Sequence, residues 1–151
     1  MRRWISLLIL LVAASAMTPP AFSQSMSNQK ESLYKRLGGY DAIAAVTDDF
    51  IGRMIADPQL NKFFVGFSNE SKKRIRQHIV DFLCQTAGGP CAYHGTDMKT
   101  AHAGINITEQ DWQASVRDLQ ATLDKFKVPE RERGELLAAI SSVKGDIVRG
   151  Q

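Results

Sequence analysis

Three histidines, His78, His94 and His102, are the side chains in this chain best suited to metal chemistry near neutral pH, because a neutral imidazole offers a nitrogen lone pair there. His94 stands in Tyr93-His94-Gly95, a loop-like run, and is expected to be exposed. His78 follows Ile75 by three residues and precedes Phe82 by four, a spacing that places it on the apolar face of a helix. A charged imidazole there is costly, so His78 is either a metal ligand or a neutral core histidine bonded to a carbonyl. His102 lies in Met98-Lys99-Thr100-Ala101-His102-Ala103-Gly104, a short helical turn that can present one imidazole. No Cys-rich or His-Glu cluster supplies three or four zinc ligands. No phosphate-binding glycine loop and no G-x-S-x-G nucleophile elbow is present either.

The elements that must carry these imidazoles are helical, with almost no strand alternation. Ser32 can cap a short helix through Leu37, which Gly38-Gly39 ends. Asp41 is expected to start a second helix with Ile43, Val46, Phe50 and Met54 on one stripe, ending at Asp57-Pro58. Ser71 is expected to open a long helix with Ile75, Ile79, Phe82 and Thr86 on its buried face, broken by Gly88-Gly89-Pro90. Thr108 and Asp111 form a capping-box pattern before the stripe Trp112, Val116, Leu119, Leu123 and Phe126. Pro129 suits the start of a final helix whose buried face is Leu136, Ile140, Val143 and Ile147. Several apolar stripes need mutual burial, so the fold class is all-α, a bundle or globin-like packing. Two helix-borne imidazoles beside seven Phe and two Trp suit a haem, a flat apolar group that takes one or two axial imidazoles.

The 151 residues are enough for one domain, and 44% hydrophobic with 23% charged residues is ordinary for a soluble globular chain. Residues 1–23 read as a signal peptide: Arg2-Arg3, an apolar run from Trp4 to Ala14, and small residues at Ala21 and Ser23. That run is short for a membrane span, which needs about 20 residues. Cleavage after Ser23 is expected, with export to the periplasm, no stable membrane span in the mature chain, and a flexible segment over 24–31. The signal carries away Arg2 and Arg3 and no acidic residue, lowering the formal +3 charge by two. No basic stripe of the kind that binds nucleic acid is left. Export also puts Cys84 and Cys91 where a disulfide persists, although spacing alone does not show that they pair.

From Leu33 to about Val148 the chain resembles a group I truncated haemoglobin. Leu33-Tyr34-Lys35-Arg36-Leu37-Gly38-Gly39, then Asp49-Phe50, Ala56-Asp57-Pro58 and Phe63-Phe64, follow that family's order. So do Gly88-Gly89-Pro90, Tyr93-His94-Gly95, Met98-Lys99-Thr100-Ala101-His102 and Ile107-Thr108 with Trp112. The resemblance implies a two-over-two helical sandwich over residues 32–149, haem b as cofactor, and His102 as proximal iron ligand. It also implies haem contacts from Phe50, Ile51, Phe63, Phe64, Ile75, Ile79, Phe82, Met98 and Trp112.

Three positions depart from the family. Its distal tyrosine is replaced by Ile51, and its distal glutamines by Ile75 and Ile79. Those polar groups donate to bound oxygen, so an avid oxygen store or efficient nitric oxide dioxygenase is disfavoured. In some relatives a histidine matching His78 binds the iron from the distal side. The resemblance therefore implies binding of oxygen or another diatomic gas. The alternatives are a bis-histidine redox protein with an electron-transfer partner, a nitric oxide dioxygenase or peroxidase, and a haem-free helical interaction module. No histidine follows His102, so covalent attachment of haem through a histidine in the last helix is excluded.

Overall fold

The computed structural model describes residues 31–149. The expected signal peptide, and all but residue 31 of the expected flexible segment, lie outside the described residues. Among the described residues the chain forms α1 (Leu33–Arg36), α2 (Gly39–Ala56), a 3-10 turn (Asn61–Phe64), α3 (Asn69–Thr86), α4 (Met98–Ala101), α5 (Glu109–Lys125), α6 (Glu130–Ser141) and α7 (Lys144–Ile147).

Local chemistry sets most of these boundaries. The Ser32 hydroxyl accepts from the Lys35 amide and caps α1. Gly38 and Gly39 then take φ of 97° and 80°, the left-handed region that lets the chain reverse into α2. α2 consequently begins at Gly39, two residues before the expected Asp41, whose carboxylate sits instead in the first turn, where the helix dipole favours it. α3 also starts two residues earlier than expected. Ser68 is its cap, and Ser71, the expected start, donates its amide to the Ser68 hydroxyl at 3.1 Å. Thr108 and Asp111 close both halves of the capping box on α5, at 3.2 and 2.9 Å.

The expected single last helix is two pieces. The Ser142 hydroxyl donates to the Ala139 carbonyl at 2.7 Å, a local bond that competes with the helical ladder, and the chain restarts at Lys144. The break has a structural consequence. α7 folds back against α4, and the Arg149 amide donates to the Ile107 carbonyl at 2.9 Å, bracing the segment that carries His102.

The fold is a two-over-two arrangement in which α2 and α3 pack on each other, α2 packs on α5, and α6 joins through α1 and the core. Ile43, Val80, Leu83, Cys84, Leu119, Leu123 and Leu136 build that core. α3 meets it through Val80, Leu83 and Cys84, with the expected Ile79 and Phe82 packed against its margin. Thr86 is exposed, and Ile75, Ile79 and Phe82 are half-buried. Both series have helical spacing, so α3 carries two apolar faces. Phe126 likewise leaves the expected α5 stripe: it caps the helix end and is exposed.

Cys84 and Cys91 form a disulfide across a Cα–Cα distance of 5.8 Å. It closes a seven-residue separation, worth roughly 2–3 kcal/mol on the chain-entropy account. Gly89 makes the tight turn inside it feasible. A Cβ there would lie 2.5 Å from the Tyr34 ring and 2.7 Å from the Cys84 sulfur.

Candidate functional site

His102 is placed by the turn that precedes it. Asp97 caps α4 by accepting the Thr100 amide at 2.9 Å, and this bond holds the Asp97 carboxyl below its ordinary value. His102 closes the turn, its amide donating to the Met98 carbonyl at 3.1 Å. Its ring Nδ1 lies 2.8 Å from the same carbonyl. A carbonyl only accepts, so Nδ1 carries a proton, which in the neutral ring leaves the lone pair on Nε2. A hydrogen bond from the far ring nitrogen orients a metal-ligating histidine and raises its basicity. Met98 is half-buried, and so is His102.

Apolar residues line three further elements. Phe50 and Ile51 are half-buried on α2, Phe63 and Phe64 on the 3-10 turn, and Ile75, Ile79 and Phe82 on α3. Trp112 is buried in the first turn of α5. His78 shares the α3 face of Ile75, Ile79 and Phe82 by helical spacing. It is exposed, however, where the apolar spacing led us to expect burial. Its ring meets Tyr93 edge-on, with centroids 6.0 Å apart. His94 is exposed, as expected for a loop residue.

Asp111 ties the aromatic corner to α5. Its carboxylate is fully buried and accepts from Gln59 at 2.5 Å and Lys62 at 2.9 Å, besides closing the Thr108 cap. Lys62 also lies 4.8 Å over the Phe63 ring. Burial pushes the Asp111 carboxyl up, but the bonds from Lys62, Thr108 and Gln59 outweigh it and hold the group well below the carboxylate range. The sign follows: stability from this depressed pKa is fully present above the unfolded value of about 3.9 and is lost as pH falls through the folded value. Asp111→Asn should therefore cost about 1–3 kcal/mol at neutral pH and flatten the loss of stability below about pH 4. Urea unfolding followed across pH 2–7 checks this, and an unchanged acid limb counts against it.

Asp49, on α2, is held in a similar way. Its carboxyl is held down to about 2 by Lys125, Arg53 and Thr122. That cluster turns Asp49 toward α5. At about 100° per residue, Ile51 then points well away from α5.

Two features escaped sequence reasoning. The Lys62 and Gln59 bonds to Asp111 span 49 and 52 residues, which no local pattern reveals. Tyr93 had a loop assignment and a place in the family-like run Tyr93-His94-Gly95, neither of which signals its contact with His78.

The bacterial-like globin family matches residues 32–149. A group 1 truncated haemoglobin of Mycolicibacterium paratuberculosis is 33% identical over 120 residues, covering 80% of this chain and 86% of that protein. This chain is a group 1 truncated haemoglobin. Another member, from Chlamydomonas moewusii, is 32% identical over 139 residues, covering 91% of this chain and 78% of the relative. Among solved structures, the ferric truncated haemoglobin of Tetrahymena pyriformis superposes with a TM-score of 0.72 at 29% identity, covering 80% of this chain and all of that one. The 2/2 haemoglobin of Synechococcus sp. PCC 7002, solved with covalently attached haem, gives 0.71 at 28% identity, covering 78% and 98%.

The residues present fit the haem that this family membership implies. The donor is one imidazole on a ring steadied by Met98. Half-buried apolar side chains stand on α2, the 3-10 turn and α3, and suit a flat apolar group rather than a bare ion. Among the described residues no group of three His, Cys, Asp or Glu is placed to hold a bare metal ion. No helix of the described residues is long and apolar enough to cross a membrane.

Proposed function

We propose that this truncated haemoglobin is exported, carries haem b with His102 as the proximal iron ligand, and binds oxygen or another small diatomic gas. Bound haem supplies an iron that takes such a gas reversibly. The observation that carries the reading is the His102 ring, whose Nδ1 donates to Met98 and whose Nε2 is left to coordinate. Phe50, Phe63, Phe64, Ile75, Ile79 and Phe82 would exclude water from the macrocycle, with Met98 and Trp112 beside them. Ile51, Ile75 and Ile79 offer the gas no donor, which favours easy release over storage and argues against efficient nitric oxide dioxygenation.

Export is supported by Arg2-Arg3 with the apolar run after them, and by the Cys84–Cys91 disulfide, a bond that persists in oxidising compartments. Recovery from the periplasmic fraction, with Gln24 as the first residue and a Soret band, is the expected result. Recovery from the cytoplasm with an intact leader rejects export, and failure to take up added haem rejects the haem reading.

A second reading is favoured by the position of His78 among Ile75, Ile79 and Phe82. As a sixth ligand it would make a bis-histidine haem suited to electron transfer with a redox partner. The unligated ferrous protein should then be low-spin, and His78→Ala should make it high-spin. An unchanged spectrum in His78→Ala removes His78 from the coordination sphere of the wild type.

A further inference from the structure

We infer that Tyr93 is a positioning residue for His78: it holds the imidazole off the iron, and the Cys84–Cys91 disulfide holds Tyr93 in place. The inference rests on the haem reading of the same site. The Tyr93 ring meets His78 edge-on at 6.0 Å and Phe82 edge-on at 5.7 Å, so one ring covers two successive turns of the α3 face. Edge-on geometry is the favoured arrangement for such rings, because the positive rim of one meets the negative face of the other.

Tyr93 is itself held at several points. Its hydroxyl donates to the Thr96 carbonyl at 2.7 Å, and its amide donates to the Gln85 side-chain oxygen at 2.7 Å. Two residues upstream, Cys91 is bonded to Cys84, which is wholly buried in the core on the other face of α3. The loop therefore cannot drift from α3 without breaking the disulfide or unpacking the core.

His78 has no comparable anchor. It is exposed, and it meets Tyr93 ring to ring. On the haem reading, an imidazole with one ring contact on a fixed partner can rest against that partner or leave it for the iron. The Tyr93 contact weights the first. Removing an aromatic pair contact shifts such a balance by roughly two- to tenfold.

The test compares the haem-loaded wild type with Tyr93→Leu, Tyr93→Phe and His78→Ala. In Tyr93→Leu the His78-bound, low-spin fraction should rise, with its equilibrium constant up roughly two- to tenfold. Adding His78→Ala should abolish the increase. Tyr93→Phe keeps the ring and should stay near wild type. Cys84→Ser/Cys91→Ser should move in the same direction as Tyr93→Leu. A readout free of any variant is the diamagnetic ferrous carbon monoxide form, where the gas occupies the iron. There, nuclear Overhauser contacts between His78 and Tyr93 ring protons are expected.

Absence of those contacts, or a low-spin fraction that falls or is unchanged in Tyr93→Leu, overturns the inference. The outcome for His78 as resident ligand is read separately. If His78→Ala leaves the wild-type spectrum unchanged but Tyr93→Leu becomes low-spin through His78, the bis-histidine reading fails and the inference stands. If His78→Ala turns the wild type high-spin while Tyr93→Leu changes nothing, the reverse holds.

Discussion

His102→Ala protein is expected to emerge from size-exclusion chromatography without a Soret band, under conditions in which the wild type keeps its haem. On the proposed reading, the apolar contacts from Phe50, Phe63, Phe64, Ile75, Ile79 and Phe82 would survive the substitution. What would be lost is the one coordinate bond from an imidazole oriented in advance by Met98. The pre-orientation matters energetically. A ring already fixed by a 2.8 Å bond and by α7 packed against α4 loses little freedom on ligation. A ligand bound only to the folded state also stabilises that state by mass action. The variant should therefore melt at the temperature of the haem-free wild type. Added free imidazole, entering the space of the deleted ring, should restore part of the Soret band. A His102→Ala protein that keeps haem with the wild-type spectrum transfers the proximal role to another residue.

Sequence was most informative where the physics is local. The Thr108–Asp111 capping box and the helix-ending glycines act within four residues, and each stands in the structure as its spacing implied. The α3 start was misplaced because Ser68-Asn69-Glu70-Ser71 offers two serines that can cap, and the earlier one does. The α3 face was read only in part, for a deeper reason. Ile75, Ile79 and Phe82 and the set Val80, Leu83, Cys84 and Ala87 have equally good helical spacing. Periodicity shows that a residue is apolar and regular, but not whether it meets protein or a prosthetic group. The turn that carries His102 was legible, because Met98 to His102 is one continuous segment. The site was not legible at Tyr93, whose contact with His78 arises from a 15-residue separation closed by a disulfide. Nor was it legible at the aromatic corner, fixed by the buried carboxylate of Asp111.

Ile51→Tyr should slow dissociation of oxygen by roughly ten- to a hundredfold, because a hydrogen bond to a charged or strongly polar acceptor contributes about 1.5–3 kcal/mol and about 1.4 kcal/mol is a factor of ten. The argument rests on where α2 points. Asp49 is committed to Thr122, Arg53 and Lys125, so that side of the helix is engaged with α5. Ile51, about 200° further round at 100° per residue, is half-buried beside Phe50, itself packed at the margin of the core. A phenol at position 51 extends from the same face and brings a donor to an otherwise apolar wall. Oxygen accepts a hydrogen bond well when it carries partial negative charge, whereas carbon monoxide is a poor acceptor. The effect should thus be large for oxygen and small for carbon monoxide, and this contrast separates hydrogen bonding from steric obstruction, which slows both. Adding Ile75→Gln should slow oxygen release further, by less than its separate effect if both donors compete for the same acceptor. Stopped-flow displacement of oxygen by carbon monoxide measures the rate. Equal slowing for both gases, or no slowing for oxygen, means that Ile51 does not face the ligand.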